Sequence, residues 1–169
     1  MDNDFKKLFM CELGDIFSAE KQIVQSLPKM VAAAESPDLK EGIQTHWEES
    51  QAQVERLEKI FSLMGSTPPS DSCPAMEGLI KECDEVVQKF PMSLVRDAAI
   101  IAKLQRIEHY EIAVYGTLRT FAKQLELKSE IYDLLEDSLD EEGSADHLLT
   151  KLAEGGWFTS GINKKASKE

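Results

Sequence analysis

Two glutamates occupy positions where a soluble helical protein ordinarily places leucine. Setting Leu13–Leu27 against Leu104–Leu118 aligns Leu13 with Leu104, Ile16 with Ile107, Ile23 with Val114 and Leu27 with Leu118. Glu20 then falls on Glu111. At roughly 100° per residue, positions seven before and seven after a residue lie about 20° to either side of it. Glu20, between Leu13 and Leu27, and Glu111, between Leu104 and Leu118, are therefore central in their apolar stripes. A second pair of segments repeats the theme, with Glu48-Glu49-Ser50-Gln51-Ala52-Gln53 aligning on Glu141-Glu142-Gly143-Ser144-Ala145-Asp146. Glu142 lies between Leu135 and Leu149. Gln53 shares a face with His46, Leu57, Ile60 and Met64, and Glu49 is one turn before it.

An uncompensated carboxylate among apolar side chains costs several kcal/mol, and several converging acids also repel one another. Divalent cations remove both penalties, and paired ions bridged by carboxylates are a recurrent solution in bundle cores. The pattern thus predicts a two-ion site. Glu49 and Glu142 would bridge or chelate the ions, Glu20 and Glu111 would cap them, and Gln53 and Asp146 would tune them. Glu108, toward the edge of its stripe, either joins this group or faces water. The metal-free alternative has the buried acids protonated, or paired with a basic group such as Arg56 or Arg106. The usual Glu-x-x-His pair is absent, with Ala52 and Ala145 where its histidines would be. His46 is either a ligand or a hydrogen-bonded core residue, whereas His109 and His147 are expected to face solvent. Tyr115, one turn after Glu111, either hydrogen-bonds a ligand or, as the leading expectation, packs in the core. Predominantly oxygen ligation favours hard ions, iron or manganese, over zinc or copper.

These positions need long helices to hold them, and helix-period patterning dominates the chain. Helices are expected over about 4–34, from Ser36-Pro37-Asp38 to about 64, over about 93–125 and over about 129–153, with Pro28 as a candidate kink in the first. The stretch Gly65-Ser66-Thr67-Pro68-Pro69-Ser70 breaks the second helix, and a shorter helix fills about 75–89. Two short links and one long connection carrying that extra helix specify an all-α, ferritin-like four-helix bundle with one long crossover. The expected domain spans 1–158, with 159–169 as a flexible tail.

The chain has 169 residues, enough for one core without disulfide staples. Its 31 acidic and 19 basic residues give a net charge of −12, which argues against nucleic acid or anionic lipid as partners. The three cysteines are scattered and form no CxxC pair, and no apolar run approaches a membrane span. A cytoplasmic setting is expected. Ser/His/Asp sets and phosphate-binding glycine loops are absent from the sequence.

Specific segments add a resemblance. Ser18-Ala19-Glu20-Lys21-Gln22, Ala75-Met76-Glu77-Gly78-Leu79, Val95-Arg96-Asp97-Ala98-Ala99 and Glu108-His109-Tyr110-Glu111-Ile112-Ala113 resemble the YciF-type ferritin-like stress proteins of bacteria. The likeness continues through Tyr115-Gly116-Thr117-Leu118 and Glu141-Glu142, with Ser50 where the family commonly has Thr. It implies a homodimeric ferritin-like domain made under stress, with inward acids at Glu20, Glu49, Glu111 and Glu142 beside Gln53 and Asp146. The expected function is a dinuclear iron or manganese protein acting on a small oxidant, oxygen or peroxide. The competing expectation is a metal-free bundle that recruits a partner under stress. Trp157 and Phe158 are expected to pack on the bundle's end or on a second subunit.

Overall fold

The computed structural model describes residues 4–156 and 159–169, and these are mostly helical. Four long helices carry the core: α1 (Asp4–Ala33), α2 (Pro37–Leu63), α4 (Leu94–Gln124) and α5 (Ser129–Glu154). The shorter α3 (Pro74–Lys89) lies between α2 and α4 in sequence, and α6 (Ile162–Ala166) closes the chain. Helix α1 packs on α2 and α4, and α5 packs on the same two neighbours, so the four close into a ring. Helix α3 lies against α1 and α4 on the outside.

Local chemistry sets the ends of these helices. Pro37 and Pro74 sit in the first turns of α2 and α3, where no backbone N–H is needed. Ser93 caps α4 by accepting from the Arg96 N–H at 3.3 Å. The α1–α2 turn is held from across the bundle. Asp97 on α4 is fully buried, and its two carboxylate oxygens accept from the Glu35 and Ser36 N–H groups at 2.8 and 2.7 Å. Ser36 itself makes no side-chain cap. Asp97 therefore replaces a local cap with a tertiary one.

Pro28 lies inside α1 without ending it. A proline there lacks the N–H that would bond the Val24 carbonyl. The Trp47 indole N–H donates to that carbonyl at 2.9 Å, so α2 supplies the missing donor.

The C-terminal segment departs from expectation. Gly155 ends α5 at φ +82°, and a Cβ there would lie 2.3 Å from the Gly161 nitrogen and 2.4 Å from the Thr159 oxygen. Gly155–Gly156 pairs antiparallel with Thr159–Ser160, a minimal strand pair in an otherwise helical structure. Beyond it, residues expected to form a frayed tail make α6, which packs on α4 and α5 and buries Ile162. The apolar Ile162 side chain gives this segment a reason to dock. Trp157 and Phe158 lie outside the described residues.

Candidate metal centre

Each long helix offers the bundle axis one side-chain stripe at alternating three- and four-residue spacing. On α1 the buried series is Phe9, Leu13, Ile16, Glu20, Ile23, Leu27 and Met30. On α2 it is Leu39, Ile43, His46, Ser50, Gln53, Leu57 and Ile60. The polar members sit at mid-helix in both, and α4 and α5 contribute Glu108, Glu111 and Glu142 at the same level. Glu20, Glu111 and Glu142 have no solvent exposure, Glu108 has 1% and His46 has 5%.

One ligating atom from each of His46, Glu108, Glu111 and Glu142 lies within 4.8 Å of the others. The His46 Nε2 is 3.4 Å from Glu108 Oε1 and 3.9 Å from Glu111 Oε2, and its Nδ1 is 4.0 Å from Glu142 Oε2. Glu20 stands beside this group, and the Tyr115 hydroxyl donates to its Oε1 at 2.5 Å. Gln53 is fully buried, and its amide nitrogen donates to Glu142 Oε1 and, at 3.1 Å, to Glu141 Oε2.

Burial raises the pKa of Glu20, Glu108 and Glu111 well above the carboxylate range, and the charge of Glu142 adds to each. Glu142 is raised to about 7, chiefly by burial. Burial lowers His46 to about 4, so the imidazole is neutral near pH 7 and cannot offset the acids. Basic neutralisation by Arg56 or Arg106 is not what the structure shows. Arg56 makes a two-pronged contact with Glu141 at 2.5 and 2.6 Å, and Arg106 pairs with Glu82 on α3.

The donor set suits a hard divalent cation. Glu20 Oε2, both His46 nitrogens, Gln53 Oε1, Glu108 Oε2, both Glu111 oxygens and Glu142 Oε2 are buried without a hydrogen-bond partner. Ion–donor bonds of about 2.0–2.3 Å require opposed donors about 4 Å apart. The observed cluster is close to that size. Four carboxylates and a neutral imidazole provide the charge and the lone pairs.

The chain is similar along nearly its whole length to proteins already grouped together. A family model described as a domain of unknown function (DUF892) matches residues 4–167. Protein YciF of Escherichia coli (strain K12) is 39% identical over 163 residues, covering 96% of this chain and 95% of that protein. This chain belongs to the YciF-type stress-protein family. The crystal structure of the E. coli stress protein YciF aligns over the full length of both chains at 36% identity, with a TM-score of 0.87. The YcfI structure from Rhodopseudomonas palustris aligns with a TM-score of 0.84 at 41% identity, covering 90% of this chain and 99% of that one.

Within this YciF-type bundle the expected acids divide. Glu20, Gln53, Glu108, Glu111 and Glu142 come together, but Glu49 and Asp146 stand outside the buried group. Relative to the α2 stripe, Glu49 is rotated by roughly 70°, because the stripe steps from His46 to Ser50 rather than to Glu49. Glu49 is half-buried at the seam with α5, where burial and the charge of Glu141 raise its pKa. Asp146 is roughly 45° off the α5 stripe and accepts from Gln105 at 3.3 Å, with His109 3.2 Å away. The α2 contribution that the alignment did not single out is His46. Its position in the three-four series from Leu39 to Ile60 was the available signal.

Proposed function

We propose that this YciF-type protein holds two divalent ions, iron or manganese, in the middle of a ferritin-like bundle and uses them against a small oxidant during stress. The observation that carries this reading is the set of unpartnered donor atoms on four sealed carboxylates and one neutral imidazole. Keeping so many acids buried forces them toward the protonated form when no counter-charge is present. The two basic candidates are engaged elsewhere, so a cation is the counter-charge that would let the acids ionise. In this reading His46, Glu108, Glu111 and Glu142 would supply the compact ligand group, and Glu20 beside it would complete the donor set for the second ion. Tyr115 orients Glu20 by its hydrogen bond, and Gln53 orients Glu142.

A bound redox-active ion would supply electrons to oxygen or peroxide. The chain's own part is to bind the ions, fix their ligands and keep bulk water from the core. Helix α3 rides on the long connection between α2 and α4, consistent with a ferritin-like crossover. The reading also takes the protein as a cytoplasmic homodimer.

Metal analysis of freshly purified protein, followed by titration with Mn²⁺ and anaerobic Fe²⁺, tests the proposal. Near two ions per chain are expected, with anomalous scattering at the iron edge marking them between His46 and Glu20 after iron loading. Protein that takes up neither ion leaves the competing reading, a metal-free bundle that recruits a partner.

A further inference from the structure

A sealed site needs a way in. The seam between α2 and α5 is where polar side chains run without interruption from solvent to the buried acids. Glu49 is half-buried at its outer edge, and the Glu141 side chain is 25% exposed. Glu141 is the shared anchor. Its Oε1 and Oε2 accept from the Arg56 guanidinium, and Oε2 also accepts from the Gln53 amide. The same Gln53 amide nitrogen reaches Glu142, whose other oxygen, Oε2, belongs to the ligand cluster. Gln53 Oε1, on the other branch of the amide that joins the outer and inner carboxylates, is fully buried and unpartnered.

Resting on the metal-site reading above, we propose that the α2–α5 seam is the loading route for the divalent cation. Glu49 and Glu141 form an outer carboxylate station, and Gln53 relays the ion to Glu142. The chemistry fits a stepwise transfer. A hydrated cation is drawn to the two outer acids and exchanges water for their oxygens. The Arg56 guanidinium pairs with both Glu141 oxygens in the resting protein and carries the same sign of charge as the incoming ion. Its side chain is 23% exposed, so it can swing toward solvent when the cation arrives. Turning the Gln53 amide exchanges its nitrogen for its carbonyl oxygen between Glu141 and Glu142 and gives the ion a neutral donor that it can leave again. The α4–α5 seam lacks such a link among the described residues, since Asp146 is tied to Gln105 and His109 on α4, with no hydrogen bond to an inner carboxylate.

The experiment measures Mn²⁺ uptake by metal-free full-length protein, following loss of the free-ion EPR signal with time and ions bound at equilibrium. Glu49→Gln and Glu141→Gln are expected to slow loading about tenfold, in line with the rate gains that focused charge gives. Final stoichiometry should stay that of wild type. Arg56→Gln should load faster. Glu48→Gln, the same charge change on the exposed side of α2, should load at the wild-type rate. If wild type binds no Mn²⁺, the metal-site reading fails and this route with it. If wild type binds but Glu49→Gln and Glu141→Gln load normally, or Asp146→Asn is the slow variant instead, the route alone is overturned. Loss of a bound ion in Glu141→Gln would make Glu141 a permanent ligand and also overturn it.

Discussion

At the scale of single residues, the unusual quantity is the number of acids without a compensating charge. In chelator-treated protein, folded Glu142 keeps its proton up to about pH 7, whereas the unfolded chain releases it near 4.5. Between those values the folded state binds more protons, so stability falls as pH rises through the window. Glu20, Glu108 and Glu111 are raised as well and act in the same direction. His46 acts in the opposite sense from about pH 4 to 6.5, because the unfolded imidazole takes up a proton that the buried one refuses. One imidazole opposes several carboxyls, so the carboxyls win. The metal-free protein should melt about 5 °C or more lower at pH 8 than at pH 5.5, and Mn²⁺ should reverse that order because it needs ionised ligands. A flat melting profile for the metal-free form would contradict the assignment.

Substitution isolates the same effect. Glu111→Leu should stabilise the metal-free protein by about 1–4 kcal/mol, the range seen when buried charges give way to packed apolar groups. It should also abolish the thermal shift on adding Mn²⁺. Chemical denaturation with and without the ion reads both outcomes. A Glu111→Leu protein that melts earlier than wild type in chelator would show that Glu111 has a stabilising partner.

At the scale of elements, two helix defects are repaired by other helices. The Val24 carbonyl exposed by Pro28 is satisfied by Trp47, so Trp47→Phe should destabilise by about 1–3 kcal/mol through the unpaired carbonyl. Pro28→Ala restores a local N–H, and in that background Trp47→Phe should cost measurably less. A double-mutant cycle with no coupling between the two sites would refute the repair. Asp97→Ala removes the acceptor for the Glu35 and Ser36 N–H groups and should cost about 1–3 kcal/mol in urea denaturation. Neither repair is legible from local sequence. Pro28 reads as a kink until Trp47 is seen beside it, and Asp97 reads as a first-turn acid of α4, since its partners lie more than 60 residues earlier.

On the scale of the whole molecule, the proposed metal ions and the fold share one free energy. Saturating Mn²⁺ at about 100 times its Kd should add about 2.7 kcal/mol of stability, and a chelator should remove it. Calorimetry at fixed pH checks this, and identical melting curves would favour the metal-free bundle. The proposed homodimer is a separate matter. Light scattering should give twice the chain mass, 2 × 19.0 kDa, across the micromolar range. A monomer throughout, or a 24-subunit particle, would end that proposal.

Periodicity alone determined that the chain is helical, where its four long helices run and which of Glu20, Glu111 and Glu142 face inward, because a residue flanked by leucines seven positions away has only one side to point. The choice between neighbouring positions was decided in three dimensions. His46 already lay in the three-four series from Leu39 to Ile60, but that Glu49, roughly 70° away, stops at the seam rather than joining it is decided by the packing of α2 on α1 and α5. Arg56 was legible as a candidate partner for an acid, but only the α2–α5 contact assigns it to Glu141 at the rim. The C-terminal segment shows the same division. Residues 159–169 read as a flexible tail, while docking Ile162 against α4 and α5 depends on a surface that does not exist until those helices have packed.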